Sequence, residues 1–85
     1  MNSLEKNVGQ YNMGALRLLH NLKEKLTESD FGKIIKIFES KKIFGWKIWC
    51  VYKDVCKQDF DKFIEVCIED KIPEICPRGC ILKEN

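Results

Sequence analysis

The sequence predicts an all-α fold, a compact bundle of three to four short helices, and three observations carry that prediction. Apolar residues recur at i, i+3 and i+4 in separate stretches, which is the spacing of one face of a helix. No run of β-branched residues shows the period of two that marks a half-buried strand. The composition, 45% hydrophobic and 11% aromatic with two prolines in 85 residues, is that of one globular domain.

The first two helices are predicted at about Met13–Leu26 and Glu28–Glu39. Asn12 is suited to cap the first helix, and Thr27, three residues before Asp30, is suited to cap the second. Each helix has one apolar stripe that we predict to face the core: Ala15, Leu18, Leu19, Leu22 and Leu26 in the first, and Phe31, Ile34, Ile35 and Phe38 in the second.

The third helix, predicted over Gly45–Lys57, carries more apolar residues than one buried face can take. At 100° per residue, Trp46 falls on the opposite side from the widest apolar arc, among lysines. We therefore predict that Trp46 lies at the surface and that Trp49 lies in the core. The arc spans roughly 160° and contains Ile48, Trp49, Val51, Tyr52, Val55 and Cys56.

A fourth helix is predicted after a cap at Gln58-Asp59, with Phe60, Phe63 and Ile64 as core residues. Pro73 is expected to end the regular structure. We predict a single domain over residues 1–85, with a core at about 12–72. A loose arm is expected at 1–11, and an irregular tail, with a turn at Cys76–Cys80, at 73–85.

Charge is unevenly distributed although the net charge is only +2. Residues 31–58 contain seven lysines and two acidic residues, whereas residues 59–70 contain five acidic residues and one lysine. This pattern predicts a basic side and an acidic side, which are suited to binding or are simply two solvated helix faces.

The five cysteines are an odd number, and the N-terminus has no export signal, so we predict reduced thiols in a cytoplasmic protein. No stretch is long and apolar enough to span a membrane. Cys76 and Cys80 have the spacing of half a zinc site, which Cys67 with Cys56 or His20 would have to complete. Since only one close pair is present, we predict no metal. A Cys76–Cys80 disulfide under oxidising conditions has the same support as the zinc site, and both have less than free thiols.

Catalysis finds little support in the sequence. His20, the only histidine, lies on the polar side of the first helix, and no glycine-rich phosphate loop is present. We predict no catalytic residues, no cofactor and no enzyme activity.

DNA binding through a helix-turn-helix is the main alternative, because two helices and a short turn lie in a lysine-rich region. Two features oppose it. The exposed positions at the start of the third helix would be Trp46, Lys47 and Cys50, which are poor readers of base edges. Arginine, the commonest base reader, occurs only twice against thirteen lysines.

Two segments of the chain carry a resemblance: Ile43 to Cys56 (IFGWKIWCVYKDVC) and Asp59 to Phe63 (DFDKF). Over about residues 30–70 the chain resembles small helical proteins of phages, prophages and mobile elements of low-GC Gram-positive bacteria. Such proteins include inhibitors of host enzymes, anti-CRISPR proteins among them, and small transcription regulators. The resemblance implies a setting and assigns no functional residue.

We hypothesise that the protein binds and inhibits a host protein, in the manner of an anti-CRISPR inhibitor. If the target is a nucleic-acid enzyme, the acidic face of the fourth helix (Asp61, Glu65, Glu69) is an alternative binding surface. A DNA-binding regulator and a homodimer that buries Trp46 are the other two hypotheses. The predicted binding residues form an aromatic centre with a lysine rim: Trp46, Cys50, Lys53, Lys57, Lys41 and Lys42.

Overall fold

The structure is a computed structural model that describes residues 12–83, and it confirms the prediction of an all-α bundle. The arm predicted at residues 1–11 lies outside the described residues. The helices are α1 (Met13–Lys25), α2 (Glu28–Ser40), α3 (Trp46–Cys50), a π-helical segment (Val51–Val55) that continues directly from α3, and α4 (Phe60–Ile68).

Three of the helices begin at a side-chain cap, in which a side-chain oxygen accepts a hydrogen bond from the backbone N–H three residues on. Two of these caps, Asn12 and Thr27, confirm the sequence prediction, and at the start of α4 the cap is Asp59 alone. The distances are 2.9 Å from Ala15 N to Asn12 Oδ1, 3.1 Å from Asp30 N to Thr27 Oγ1 and 3.2 Å from Lys62 N to Asp59 Oδ1.

One core holds the bundle together. Helix α1 packs against α2 and α3, and α4 packs against α2 and the π-helical segment. From α4, Phe63 is fully buried as predicted, but Phe60 and Ile64 are only partly buried against the core. The predicted stripes of α1 and α2 are confirmed except at Leu26, which follows the last residue of α1 and is only partly buried against the core. The other stripe residues are all buried: Ala15, Leu18, Leu19, Leu22, Phe31, Ile34, Ile35 and Phe38.

The third helix is not the single α-helix that the sequence predicted. We call α3 and the π-helical segment together helix three (Trp46–Val55). In its second half the backbone bonds i→i+5, and the N–H of Cys56 donates to the carbonyl of Val51 at 2.9 Å. Val51 and Cys56 are both fully buried. In an α-helix they would point about 140° apart, so the wider turn is what brings both of them to the core.

The C-terminal segment corrects the predicted end of the core at residue 72. Cys76 and Leu82 are buried in the same core as the helices. Between them the chain folds back on itself, and Ile75 and Ile81 form an antiparallel bridge, the only β pairing within residues 12–83. We call residues 75–81 the C-terminal turn. A turn at Cys76–Cys80 was predicted, but its packing against the core was not.

Candidate functional site

Helix three begins at a glycine that the local geometry requires. Gly45 is buried and adopts φ 54° and ψ −122°, a conformation that side chains disfavour. The preceding residues hold this turn in place: Ile43 is fully buried, and the carbonyl of Phe44 accepts from Lys47 N at 3.1 Å. The turn delivers Trp46 to the first position of the helix.

Both tryptophans of helix three are exposed to solvent. The exposed fraction is 49% for Trp46 and 37% for Trp49. The prediction that Trp46 is a surface residue is confirmed, and the prediction that Trp49 is a core residue is wrong. At 100° per residue, Trp46 and Trp49 are 300° apart around the helix in one direction and only 60° apart in the other. Residues three apart are therefore neighbours on a helix surface. We call the exposed surfaces of Trp46 and Trp49 the two-tryptophan face.

Trp49 rests against α1 through a close contact with a glycine. A Cβ atom built at Gly14 would lie 2.8 Å from Cε3 of Trp49 and 3.0 Å from its Cδ2. Real Cβ atoms do not approach other atoms that closely, so the indole occupies space that only glycine leaves open. The remaining ring surface points away from the core, where Ile48 and Val51 fill the central positions.

An aromatic row connects the two-tryptophan face to the core. The ring centroids of Trp49 and Tyr52 are 5.6 Å apart, and Tyr52 meets the buried Phe63 edge to face at 5.5 Å. Phe60 lies next in the row, 6.3 Å from Phe63, with the Lys25 ammonium 5.5 Å from its ring centroid. Such pairs are each worth about 0.5–1.5 kcal/mol beyond burial, so Trp49 is held firmly although it is partly exposed.

Three lysines of the predicted rim are exposed: Lys42, Lys53 and Lys57. Lys42 and Lys57 have φ values of 58° and 53°, and each follows the end of a helical segment. A further lysine, which the prediction did not include, lies beside the first tryptophan: Lys47 Nζ is 6.0 Å from the ring centroid of Trp46.

Lys41 was predicted to lie at the rim around Trp46, but it lies with residues of α2. It is half-buried and lines a shallow depression of about 310 Å³ along the end of α2. The depression contains no residue of helix three. Its other lining residues are Lys33, Lys36, Ile37, Ser40 and Asp70.

Cys50 was predicted to belong to the binding surface around Trp46, and the structure shows it half-buried. Burial raises the pKa of its thiol, the Asp54 carboxylate raises it further, and the Cys80 and Cys76 thiols add to the effect. Cys76 and Cys80 are thus close enough to Cys50 to affect its thiol, so Cys50 lies near the C-terminal turn. The predicted binding set does not form one surface: Trp46 belongs to the two-tryptophan face, Cys50 lies near the C-terminal turn and Lys41 lies at the end of α2.

Asp61 and Glu65 of α4, and Glu69 directly after it, are exposed, as an alternative binding face would require. Two of them already have partners, since Asp61 Oδ1 lies 2.7 Å from Lys25 Nζ and Glu69 Oε1 lies 3.6 Å from Lys71 Nζ. Surface pairs of this kind are weak, about 0–1 kcal/mol, so they leave the face available to a stronger partner.

His20 lies on the exposed side of α1, where its Nε2 is 3.1 Å from Glu24 Oε1. Within residues 12–83, no three His, Cys, Asp or Glu side chains lie close enough together to hold a metal ion. None of the helices in the same range has the length and apolar character needed to cross a bilayer.

Sequence reasoning missed three exposed apolar residues: Met13 (74% exposed), Ile75 (58%) and Ile81 (59%). Met13 precedes Gly14, the residue on which Trp49 rests. The two isoleucines flank the C-terminal turn, and a signal for them was present. Turn-forming residues, Pro77 and Gly79, lie between the two isoleucines, and this is the pattern of a short hairpin. A hairpin places its flanking residues, here Ile75 and Ile81, opposite each other.

No protein-family model matches this chain, and comparison with curated proteins and with solved structures finds no significant match either. The fold and the face therefore define the molecule only as a small all-α bundle that exposes two neighbouring tryptophans.

Proposed function

We propose that this chain binds another protein through the two-tryptophan face, and that it acts by blocking or redirecting a host protein. The observation that carries the proposal is the exposure of two tryptophans, Trp46 and Trp49, three residues apart on helix three. Tryptophan is enriched among the residues that dominate binding energy, because it buries a large area with few rotatable bonds. The choice of a host protein as target rests on the resemblance to phage and mobile-element proteins.

The support beneath the face favours binding over accidental exposure. Trp49 is fixed between Gly14 and Tyr52, and Tyr52 is fixed by Phe63. A side chain already held in one position loses little conformational entropy when a partner covers it. A pre-organised aromatic anchor of this kind is what a tight interface needs at its centre.

The surrounding charge favours a partner with an acidic surface. Lys53 and Lys57 follow the tryptophans along the chain, and Lys47 lies beside Trp46. Lysines at the rim of an interface raise the association rate with an acidic partner more than they raise the affinity. We therefore expect that Lys53→Glu slows association, whereas Trp46→Ala speeds dissociation.

The test is a binding measurement against the partner captured from bacterial host lysate and identified by mass spectrometry. Trp46→Ala should weaken the purified complex by about 2 kcal/mol, or about 30-fold in Kd. Ile75→Ala is the matched control, because Ile75 is similarly exposed but lies on the C-terminal turn. The proposal is wrong if the two variants bind the partner equally well with folds intact.

A second copy of the chain is the alternative occupant of the face. Sedimentation of the wild-type protein and of Trp46→Ala distinguishes the cases. A dimer that dissociates on this substitution would replace the host-protein proposal with self-association. We expect a monomer with the same sedimentation coefficient as the variant.

The helix-turn-helix alternative is less well supported. Helix three has only five α-helical residues before the π-helical segment, and the exposed residue at its start is Trp46. Base reading needs polar side chains there. We expect duplex DNA to bind no tighter than about 10⁻⁴–10⁻⁶ M at physiological salt. Sequence-selective binding at nanomolar concentration would restore this alternative.

A further inference from the structure

Two cysteines face each other across the C-terminal turn. Cys76 N donates to the Cys80 carbonyl at 2.9 Å, and Gly79 N donates to the Cys76 carbonyl at 2.8 Å. Gly79 adopts φ 93°, a conformation that side chains disfavour. The bridge between Ile75 and Ile81 closes the turn on its outer side. These contacts hold Cys76 and Cys80 as neighbours across a tight reversal of the chain.

The sulfur atoms are also brought together. Cys80 N donates to the Cys76 Sγ at 3.2 Å, and the two side chains are close enough for each thiol to shift the pKa of the other. Directly opposed residues of an antiparallel pair have Cβ atoms about 4.5–5.5 Å apart. A disulfide needs about 3.5–4.5 Å. Cys76 and Cys80 are opposed in the register of the Ile75–Ile81 bridge, so bond formation calls for an approach of their Cβ atoms by about one ångström.

The two thiols differ in access and in acidity. Cys76 is 3% exposed, whereas Cys80 is half-buried. Burial acts to raise the pKa of Cys76, but hydrogen bonds from the Cys80 and Arg78 backbone and from the Cys80 thiol together lower it below its ordinary value. The hydrogen bond to Cys76, followed by burial, raises the pKa of Cys80. Cys80 is thus the thiol that an oxidant reaches, and Cys76 is the one more readily deprotonated.

We propose that Cys76 and Cys80 are a reversible modification site, a dithiol that a small disulfide such as glutathione disulfide converts into an intramolecular disulfide. The Cys80 thiolate attacks one glutathione sulfur, the S–S bond of the reagent breaks, and one glutathione thiolate leaves. The Cys76 thiolate then attacks Cys80 Sγ and releases the second glutathione. The dithiol is oxidised, the reagent is reduced, and the two thiol protons pass to the two glutathione thiolates.

The other cysteines lack this arrangement. Cys56 and Cys67 are fully buried in the core, and burial raises the pKa of both thiols. Burial and a raised thiol pKa each reduce reactivity toward a dissolved disulfide. Cys50 is the closest competitor, because it is half-buried and its pKa is raised, as is that of Cys80. The expected selectivity therefore rests on Cys76, which lies across the turn from Cys80, is held there by the backbone bond from Cys76 N to the Cys80 carbonyl, and completes the disulfide. We expect selective oxidation of the Cys76–Cys80 pair in the folded protein.

The chain provides a sharp readout for this bond. Trypsin cleaves after Arg78, between the two cysteines. The folded full-length protein is incubated with glutathione disulfide, its remaining thiols are alkylated, and it is digested without reduction. A Cys76–Cys80 disulfide joins the peptide 72–78 to the peptide 79–83, and reduction separates them. We expect to find this linked pair of peptides. We expect Cys50, Cys56 and Cys67 in no disulfide.

Two variants separate the steps. Cys76→Ser should stop the reaction at one glutathione on Cys80, and Cys80→Ser should prevent modification of the turn. Because Cys76 is a core residue, circular dichroism must first show that the variant is folded; the Cys80→Ser variant provides the test if it is not. A disulfide from Cys50 to either residue, or no disulfide in the folded wild-type protein, would overturn the proposal.

Discussion

Helix α2 is regular over thirteen residues, whereas helix three changes its hydrogen-bonding pattern after five. In α2, every residue of the apolar stripe is buried and the exposed side carries charge. In helix three, Val51 and Cys56 reach the core only because the backbone widens, and both tryptophans remain partly exposed. Amphipathic sequence therefore gives a purely structural element in one place and an aromatic surface in the other.

The two helices differ because the residues of helix three that must reach the core do not fit the spacing of a regular α-helix. A regular helix that buries Ile48 and Val51 would turn Cys56 toward the edge of the core, and the i→i+5 turn restores it to the centre. Helices with such wide turns are frequent at functional sites. The comparison predicts that substitutions in α2 affect stability alone, whereas those in helix three divide between stability and binding.

The largest effect is expected at the centre of the regular helix. Phe38 is fully buried, so Phe38→Ala should lower the free energy of unfolding by about 3–5 kcal/mol through lost burial and a cavity. Urea unfolding monitored by circular dichroism measures this loss. Lys36→Ala on the exposed side of α2 is the control and should change stability by at most about 0.5 kcal/mol. Equal losses would show that α2 does not pack as described.

The second effect tests the π-helical segment directly. Cys56→Asn places an amide in the core and should cost about 2–4 kcal/mol through an unsatisfied polar group and overpacking. Val55→Asn should cost about 1 kcal/mol or less, because Val55 is only partly buried. A regular α-helix predicts the reverse order, since it would place Val55 nearer the centre of the apolar arc. Comparison of the two unfolding midpoints distinguishes the backbones.

Much of the regular part of the fold could be predicted from the sequence. The caps at Asn12 and Thr27 and the stripes of α1 and α2 depend on contacts within one helix, and a period of 3.6 residues describes them fully. Helix three could not be predicted in the same way. Its departure from that period depends on where α1 and α4 lie, and periodicity contains no information about neighbouring helices.

The C-terminal residues and Trp49 were misjudged for a related reason. Leu82 follows Ile81 and the C-terminal turn but belongs to no helical period, so only its packing against the core reveals its role. Trp49 lay at the edge of the predicted arc, where contact with Gly14 decides its exposure. The first tryptophan was predicted correctly because it lies far from the centre of the arc, and its role in binding stays a prediction.

A third effect separates the two tryptophans by stability. Trp49→Ala should cost about 1–2 kcal/mol, because the indole packs on Gly14 and Tyr52. Trp46→Ala should cost at most about 1 kcal/mol. Thermal unfolding of the two variants measures the difference. A larger loss for Trp46 would mean that it supports the core and is not available to a partner.

The smallest effect uses two glycines, one in each of the regions compared. Gly32 lies within α2, and a Cβ atom there would meet nothing within 4 Å. Gly32→Ala should therefore raise the free energy of unfolding by about 0.5–1 kcal/mol, since alanine loses less backbone entropy in a helix. Gly14 is also helical, but its Cβ would lie 2.8 Å from Trp49. Gly14→Ala should leave the free energy of unfolding unchanged or lower it, because the indole must move.

Trp49 fluorescence should shift in Gly14→Ala and not in Gly32→Ala. A similar gain in stability from both substitutions, with unchanged fluorescence, would show that Trp49 does not rest on α1 and that the two-tryptophan face lacks its support.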